Sequence, residues 1–154
     1  MTAGALAGTK LFIGGTGTLV PSPDNVLWVE VGNISNLGVY GGTNFNKIAL
    51  ESIGDGYTRQ LKGTQLAPSC DIVLNRDDTD AGQIAFKAAS ADRNSKFNFK
   101  IEENDIGSGL NPTRTVFKGR VYGYATAGGG VNDLKKINTS IEIEPDTIIQ
   151  TAAA

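Results

Sequence analysis

Lys135-Lys136-Ile137-Asn138-Thr139-Ser140-Ile141-Glu142-Ile143-Glu144 is the stretch that decides the fold. Ile137, Thr139, Ile141 and Ile143 share one parity, while Lys136, Asn138, Ser140 and Glu142 share the other. A period of two turns one face to a core and the other to water, which is half-buried β-sheet and not helix. Residues 113–125 have the same character, so 113–125 and 135–144 read as a long closing hairpin. Upstream, Phe97, Phe99 and Ile101 alternate with Asn98, Lys100 and Glu102. Residues 69–74 make a further strand, in which the single cysteine, Cys70, shares a face with Ile72 and Leu74 as a small core residue. Residues 34–40 lead into a strand at 47–51. In 25–31, Leu27, Val29 and Val31 oppose Trp28 and Glu30, and Lys10 to Ile13 is a brief first strand. Gly, Asn and Asp punctuate these runs as in an antiparallel β protein.

One segment departs from this period. Ala81, Ile84, Ala85 and Ala88 fall at i, i+3, i+4 and i+7, behind Asp78, Thr79 and Asp80, which suit a helix N-terminus by capping and charge. The spacing predicts a helix over about 79–90 whose face Ala81, Ile84, Ala85, Ala88 packs on the sheet. The expected fold is therefore mainly β: an antiparallel β-sandwich or barrel with one flanking helix and a long inter-strand loop. Residues 1–154 read as a single domain with a core at about 9–144. Residues 1–8 and 145–154 read as N- and C-terminal arms, and no internal repeat is visible.

Composition narrows the chemistry. The 154 residues are 40% hydrophobic, with 20 Gly and 5 Pro, which is too apolar for disorder and long enough for a sizeable core. Fourteen Lys and Arg against 16 Asp and Glu give a net charge of −2, without the basic excess that holds nucleic acid through its phosphates. The absence of histidine removes the usual general base near neutral pH, the Ser-His and Cys-His pairs and most zinc sites. No catalytic residue, metal ligand or cofactor is expected. No apolar run reaches the length of a membrane span, and residues 1–8 lack a basic region before their small residues, so synthesis and folding in a cytoplasm are expected.

The remaining motifs read structurally. Gly14-Gly15-Thr16-Gly17-Thr18 resembles a phosphate loop, but Pro21 and Pro23 follow where a helix N-terminus is required. A calcium loop starting at Asp77 would need glutamate at its twelfth position, where Ala88 stands. A capped strand-to-helix turn explains residues 75–80 better. Glu102, Glu103 and Asp105 read as a solvated turn and not as a catalytic acid pair. Asn33-Ile34-Ser35 and Asn138-Thr139-Ser140 match a glycosylation acceptor, which matters only on secretion.

More informative is the polar connection 51–64, which still carries Ile53, Tyr57 and Leu61. Its mixture of apolar, aromatic and charged residues suits an inter-subunit arm, with Glu51, Ile53, Asp55, Tyr57, Arg59, Leu61 and Lys62 as the contact residues. A plain hairpin tip is the alternative.

Taken in order, these segments resemble the major tail tube proteins of long-tailed bacteriophages, whose fold is related to the type VI secretion tube proteins. The carriers are Asn33 to Leu37, the strand 47–51 with its polar loop, and Pro68-Ser69-Cys70-Asp71-Ile72-Val73-Leu74-Asn75. Asp80-Ala81-Gly82-Gln83-Ile84-Ala85 stands where the family has a Gly-Gln helix after an acidic turn. Phe97 to Ile101, Thr115 to Val121 and Asn138 to Ile143 complete the match, which spans about residues 9–144. Nothing in these residues suggests the immunoglobulin-like C-terminal domain that some members carry, and the Gly-rich start is not matched.

The resemblance implies a structural virion protein: hexameric rings that stack into a hollow tail tube through which DNA is delivered. It implies partners in the tape measure, tail terminator and baseplate proteins, and a location in the phage tail after assembly in the host cytoplasm. DNA would pass through without specific binding, and a bore crowded with Lys or Arg would grip its phosphates. Sheet edges that endanger a monomer become useful when they join copies into a continuous barrel. A distal-tail or baseplate ring protein and a type VI secretion tube protein share this pattern. A free β-sandwich carbohydrate-binding module is the alternative of another class; it requires an aromatic platform, against which Trp28, Tyr40, Tyr57, Tyr122 and Tyr124 are scattered.

Overall fold

The computed structural model describes residues 7–16, 28–54, 56–104 and 112–151. The strands are β1 (Lys10–Ile13), β2 (Val29–Val31), β3 (Ile34–Leu37), β4 (Asn44–Leu50), β5 (Arg59–Leu66), β6 (Cys70–Asn75), β7 (Phe97–Glu102), β8 (Arg114–Ala127), β9 (Lys136–Ile143) and β10 (Ile149–Thr151). Helix α1 (Ala81–Ala91) lies between β6 and β7, and a 3-10 turn (Pro145–Thr147) precedes β10. The main sheet is antiparallel in the order β2-β1-β7-β8-β9-β6-β3, with β10 also on β8, while β4 and β5 form a separate two-stranded sheet.

β8 joins two halves of the main sheet. Its residues 114–119 pair with β7, and its residues 119–127 pair with β9. The pivot is Gly119, where an added Cβ would stand 2.7 Å from both the Glu142 carbonyl oxygen and Ile141 Cγ2. A register shift between Val121 and Gly123 bends the strand further. The inner faces of both halves thus meet in one core: Leu11, Ile13, Phe99, Ile101 and Phe117 from one half, and Cys70, Ile72, Leu74, Ile137 and Ile141 from the other. Phe99 stacks on Phe117 at 5.7 Å and meets Phe86 of α1 at the same separation.

The alternation in 136–143 and 70–74 appears as read, with Cys70, Ile72, Leu74, Ile137, Thr139 and Ile141 all buried. On the outer face of the first half, Lys100 is held between Phe12, 4.4 Å from its ring centroid, and Trp28, at 5.2 Å. Its ammonium also lies 3.0 Å from Glu102, so a charged residue is buried with partners.

The helix forms where expected but is rotated. Asp80 is the N-cap, its Oδ2 accepting from Gln83 N and Gly32 N at 3.0 Å each. The face turned inward is Gly82, Gln83, Phe86 and Ala89, whereas Ile84 is 55% exposed and Ala81 and Ala88 are exposed too. Of the expected face Ala81, Ile84, Ala85, Ala88, Ala85 packs half-buried against the core, while Ala81, Ile84 and Ala88 are thereby corrected. Two contacts set the rotation: a Cβ on Gly82 would stand 2.1 Å from the Glu30 carbonyl oxygen, and Gln83 reaches across the seam between β2 and β3. Gln83 Nε2 donates to Gly32 O at 3.0 Å and Asn75 O at 2.9 Å, and its Oε1 accepts from Asp77 N at 2.9 Å.

Other expectations change as well. The strand read over 34–40 is β3 at 34–37 and pairs with β6, and the one read at 47–51 is β4 at 44–50. The connection 51–64 is not loop throughout, because 59–66 is β5, antiparallel to β4. Neither face of that ribbon is buried, so no core imposes an apolar period on 59–66. Residues 145–151, expected to hang off as an arm, instead turn back and add β10 to β8, with Ile148 against the core. The expected residues 25–27, the turn at 21–24, Gly17, Thr18, Asp55 and Asp105 lie outside the described residues.

Candidate assembly surfaces

Two surfaces stand unfinished. The first is the β4–β5 hairpin, whose substantial contacts are between its own two strands. A lone two-stranded hairpin is marginal in water and needs a surface to lean on. Its register places Ile48 opposite Leu61 and Leu50 opposite Arg59. Alternation puts Ile48, Leu50 and Leu61 on one face, each about half exposed. The other face carries Phe45 and, directly across from each other, Lys47 and Lys62, with Lys62 Nζ 5.1 Å from the Phe45 ring centroid. Like charges in register are unfavourable by a few tenths of a kcal/mol, roughly, without an anion to share. Arg59 lies over the Tyr57 ring at 5.4 Å and donates to its hydroxyl at 3.2 Å, while Ile53 at the tip is fully exposed.

The second surface is the half-sheet β3-β6-β9-β8. β6 and β9 are paired on both sides, but among the described residues β3 has a partner strand only in β6, and residues 121–127 of β8 have one only in β9. Beside β3 runs a groove of about 350 Å³, with Ala7, Gly8 and Thr9 as its other wall.

Of the expected arm residues, Glu51 and Ile53 stand beyond β4, Tyr57 lies just before β5, and Arg59, Leu61 and Lys62 are on β5; Asp55 is outside the described residues. Phe45, Ile48 and Leu50 on β4 complete the surface and were not read as part of it. Val131 and Leu134, exposed in the β8–β9 connection, were also missed. Their turn is held by Gly130 N donating to Asp133 Oδ2 at 2.7 Å, and two aliphatic residues in a Gly-rich loop were the available signal.

The acidic residues have structural partners. Asp77 accepts from Thr79 N at 3.0 Å and from Thr79 Oγ1, and these bonds hold its carboxyl below the usual range. Asp78 is lowered likewise by Arg76 at 3.1 Å. Glu103 accepts from the Tyr40 hydroxyl at 3.0 Å; burial first, and then this bond, push Tyr40 up to about 12. Tyr40 and Tyr124 pack against the core, leaving Tyr57 and Tyr122 as the exposed tyrosines, on different strand systems. Among the described residues, no three of His, Cys, Asp or Glu gather to hold a metal, and no helix is long and apolar enough to cross a membrane.

No protein-family model and no curated protein matches the sequence. Solved structures do match. The SPP1 tail tube aligns over 94% of this chain and 76% of its own, at 14% identity and a TM-score of 0.65. The sheath/tube terminator of an extracellular contractile injection system, PVC, aligns over 99% of both chains, at 8% identity and a TM-score of 0.66. A chain of the PVC sheath-tube complex aligns over 94% of this chain and 88% of its own, at 12% identity and a TM-score of 0.61. Likeness of this extent at such low identity is likeness of fold, and the bent antiparallel sheet, single capped helix and projecting hairpin described above are the phage tail tube fold.

Proposed function

We propose that the chain is a structural tail tube subunit whose copies close into hexameric rings and stack into a hollow tube for DNA delivery. The observation that carries this reading is the half-sheet β3-β6-β9-β8, which among the described residues offers an unpaired edge at β3 and another at residues 121–127 of β8. Unlike edges on one subunit can pair head to tail and close by rotation, which removes the hazard each edge poses in a monomer. Six copies per ring is the number implied by the family resemblance.

The hairpin suits an arm between copies or between rings: Ile48, Leu50 and Leu61 offer an apolar face to a neighbour, with Glu51, Ile53, Tyr57, Arg59 and Lys62 along its tip and rim, and Asp55, outside the described residues, is kept as a contact residue from the sequence. Tape measure, terminator and baseplate proteins are the partners proposed beyond a second copy, in a virion tail assembled in the bacterial cytoplasm. The subunit's task is assembly, with no catalytic step.

Electron microscopy of the purified, concentrated chain tests this. Tubes of uniform width are expected, and discrete globules at every concentration would overturn the reading. A ring that ends a tube is the second reading, favoured by the end-to-end coverage of the PVC terminator. Isolated rings that never stack would select it.

A further inference from the structure

Gly32 and Asn33 are the whole connection between β2 and β3, which are the first and last strands in the pairing order of the main sheet. Two residues therefore carry the chain out of one half-sheet and onto the far edge of the other. Asn33 makes this turn with φ +60°, and among the described residues no other residue except glycine has a positive φ. The left-handed region strains an L-residue, although asparagine bears it more readily than most, and such strain persists only where the surroundings enforce it.

The surroundings here are specific. Gly32 N donates to Asp80 Oδ2 and Gly32 O accepts from Gln83 Nε2, each at 3.0 Å, so α1 and its cap grip the link just ahead of Asn33. Asn33 Nδ2 donates to Asp77 Oδ2 at 3.2 Å, and Asp77 is itself fixed by Thr79 N at 3.0 Å and Thr79 Oγ1 at 2.6 Å. Asn33 O accepts from Asn75 N at 2.7 Å, which starts the ladder that β3 shares with β6. Beyond Asn33 much less holds the strand. β3 has four residues, none of them buried, and its register with β6 breaks between Ile34 and Asn36. Its far end is set by Gly38, where an added Cβ would stand 2.3 Å from Asp71 O.

Strand pairing with a neighbour needs every amide and carbonyl of the edge within hydrogen-bond reach. Over four residues, about 13 Å of strand, a tilt of about 10° displaces one end against the other by about 2 Å, more than a hydrogen bond tolerates. We infer, resting on the proposed ring closure, that Asn33 is the positioning residue of the joining edge: its left-handed backbone, braced by Asp77, sets the angle at which β3 is offered to a second copy.

The test compares Asn33→Gly, which takes a positive φ freely, with Asn33→Val, whose branched side chain resists it. For each full chain, the lowest concentration that yields tubes is measured by pelleting and microscopy, and amide exchange is measured on the unassembled subunit. Asn33→Val should need about tenfold more protein than the unaltered chain, because only subunits with β3 at the correct angle join; tenfold is about 1.4 kcal/mol, within the cost of forcing an L-residue left-handed. Its residues 34–37 should exchange faster while β9 keeps its protection. Asn33→Gly loses one exposed side-chain bond and should form tubes within about threefold of the unaltered threshold. Tubes from Asn33→Val at the unaltered threshold, or unchanged protection of its residues 34–37, would overturn the assignment while leaving the tube reading intact. So would an Asn33→Gly threshold as high as that of Asn33→Val. If Asn33→Val does not fold, Asn33→Ala takes its place in the same comparison. Absence of tubes from the unaltered chain would instead overturn the ring reading on which the assignment rests.

Discussion

Replacing Gln83 by leucine removes three hydrogen bonds at the seam between β2 and β3 while keeping nearly the same volume. Gly32 O, Asn75 O and Asp77 N lose partners now at 3.0, 2.9 and 2.9 Å. A net hydrogen bond is worth about 1 kcal/mol, and a buried group left bare costs about 1–3 kcal/mol. Water reaches part of this seam, so about 3 kcal/mol is the expected loss for the three together. For a domain of this size each kcal/mol lowers Tm by roughly 2–4 °C, giving a fall of roughly 6–12 °C in a thermal melt of the unassembled subunit. Ile84→Asp supplies the contrast, because Ile84 is 55% exposed on the same helix. Its melt should move by no more than the equivalent of about 0.5 kcal/mol. The opposite ranking, a Gln83→Leu subunit within about 2 °C of the unaltered chain and an Ile84→Asp subunit falling well below it, would refute the helix rotation.

Gly82→Ala should destabilise the subunit by about 1–3 kcal/mol or more in the same melt, since its Cβ meets the Glu30 and Val31 backbone at 2.1 and 2.5 Å and neither can swing aside. Leu61→Asp, on the exposed apolar face of the hairpin, should leave the free subunit's stability within about 0.5 kcal/mol yet abolish tubes by microscopy; a normal tube yield would refute the arm. Stability should fall in alkali. Burial pushes the Cys70 thiol from 9.0 up to about 12, so the unfolded chain releases its proton first and stability drains away from about pH 9 toward 12. Tyr40, raised from 10.0 to about 12 by burial and Glu103, adds to the loss above pH 10. Urea unfolding across that range should give a shallower pH slope for Cys70→Ala and for Tyr40→Phe than for the unaltered chain.

The alternation of Ile137, Thr139 and Ile141 with Asn138 and Ser140 was legible because one face of β9 is buried and the other is not, and a strand has only two ways to turn. Asp80 likewise announced the helix, since capping is a local matter between a carboxylate and an amide three residues on. The rotation of that helix was not local. It is set by the Glu30 backbone against Gly82 and by carbonyls of Gly32 and Asn75 that satisfy Gln83, groups brought together only by the folded sheet. β5 left no periodic trace because neither of its faces is buried among the described residues, so no core imposes a period of two on it. The contents of the candidate arm could be read from its mixed composition, but its strand pairing could not. Which strand ends lie open, and which face of β9 turns away from the core together with those of β6 and β8, follow from the pairing order alone. Chain-distant partners decide that order, and so only the tertiary structure could supply it.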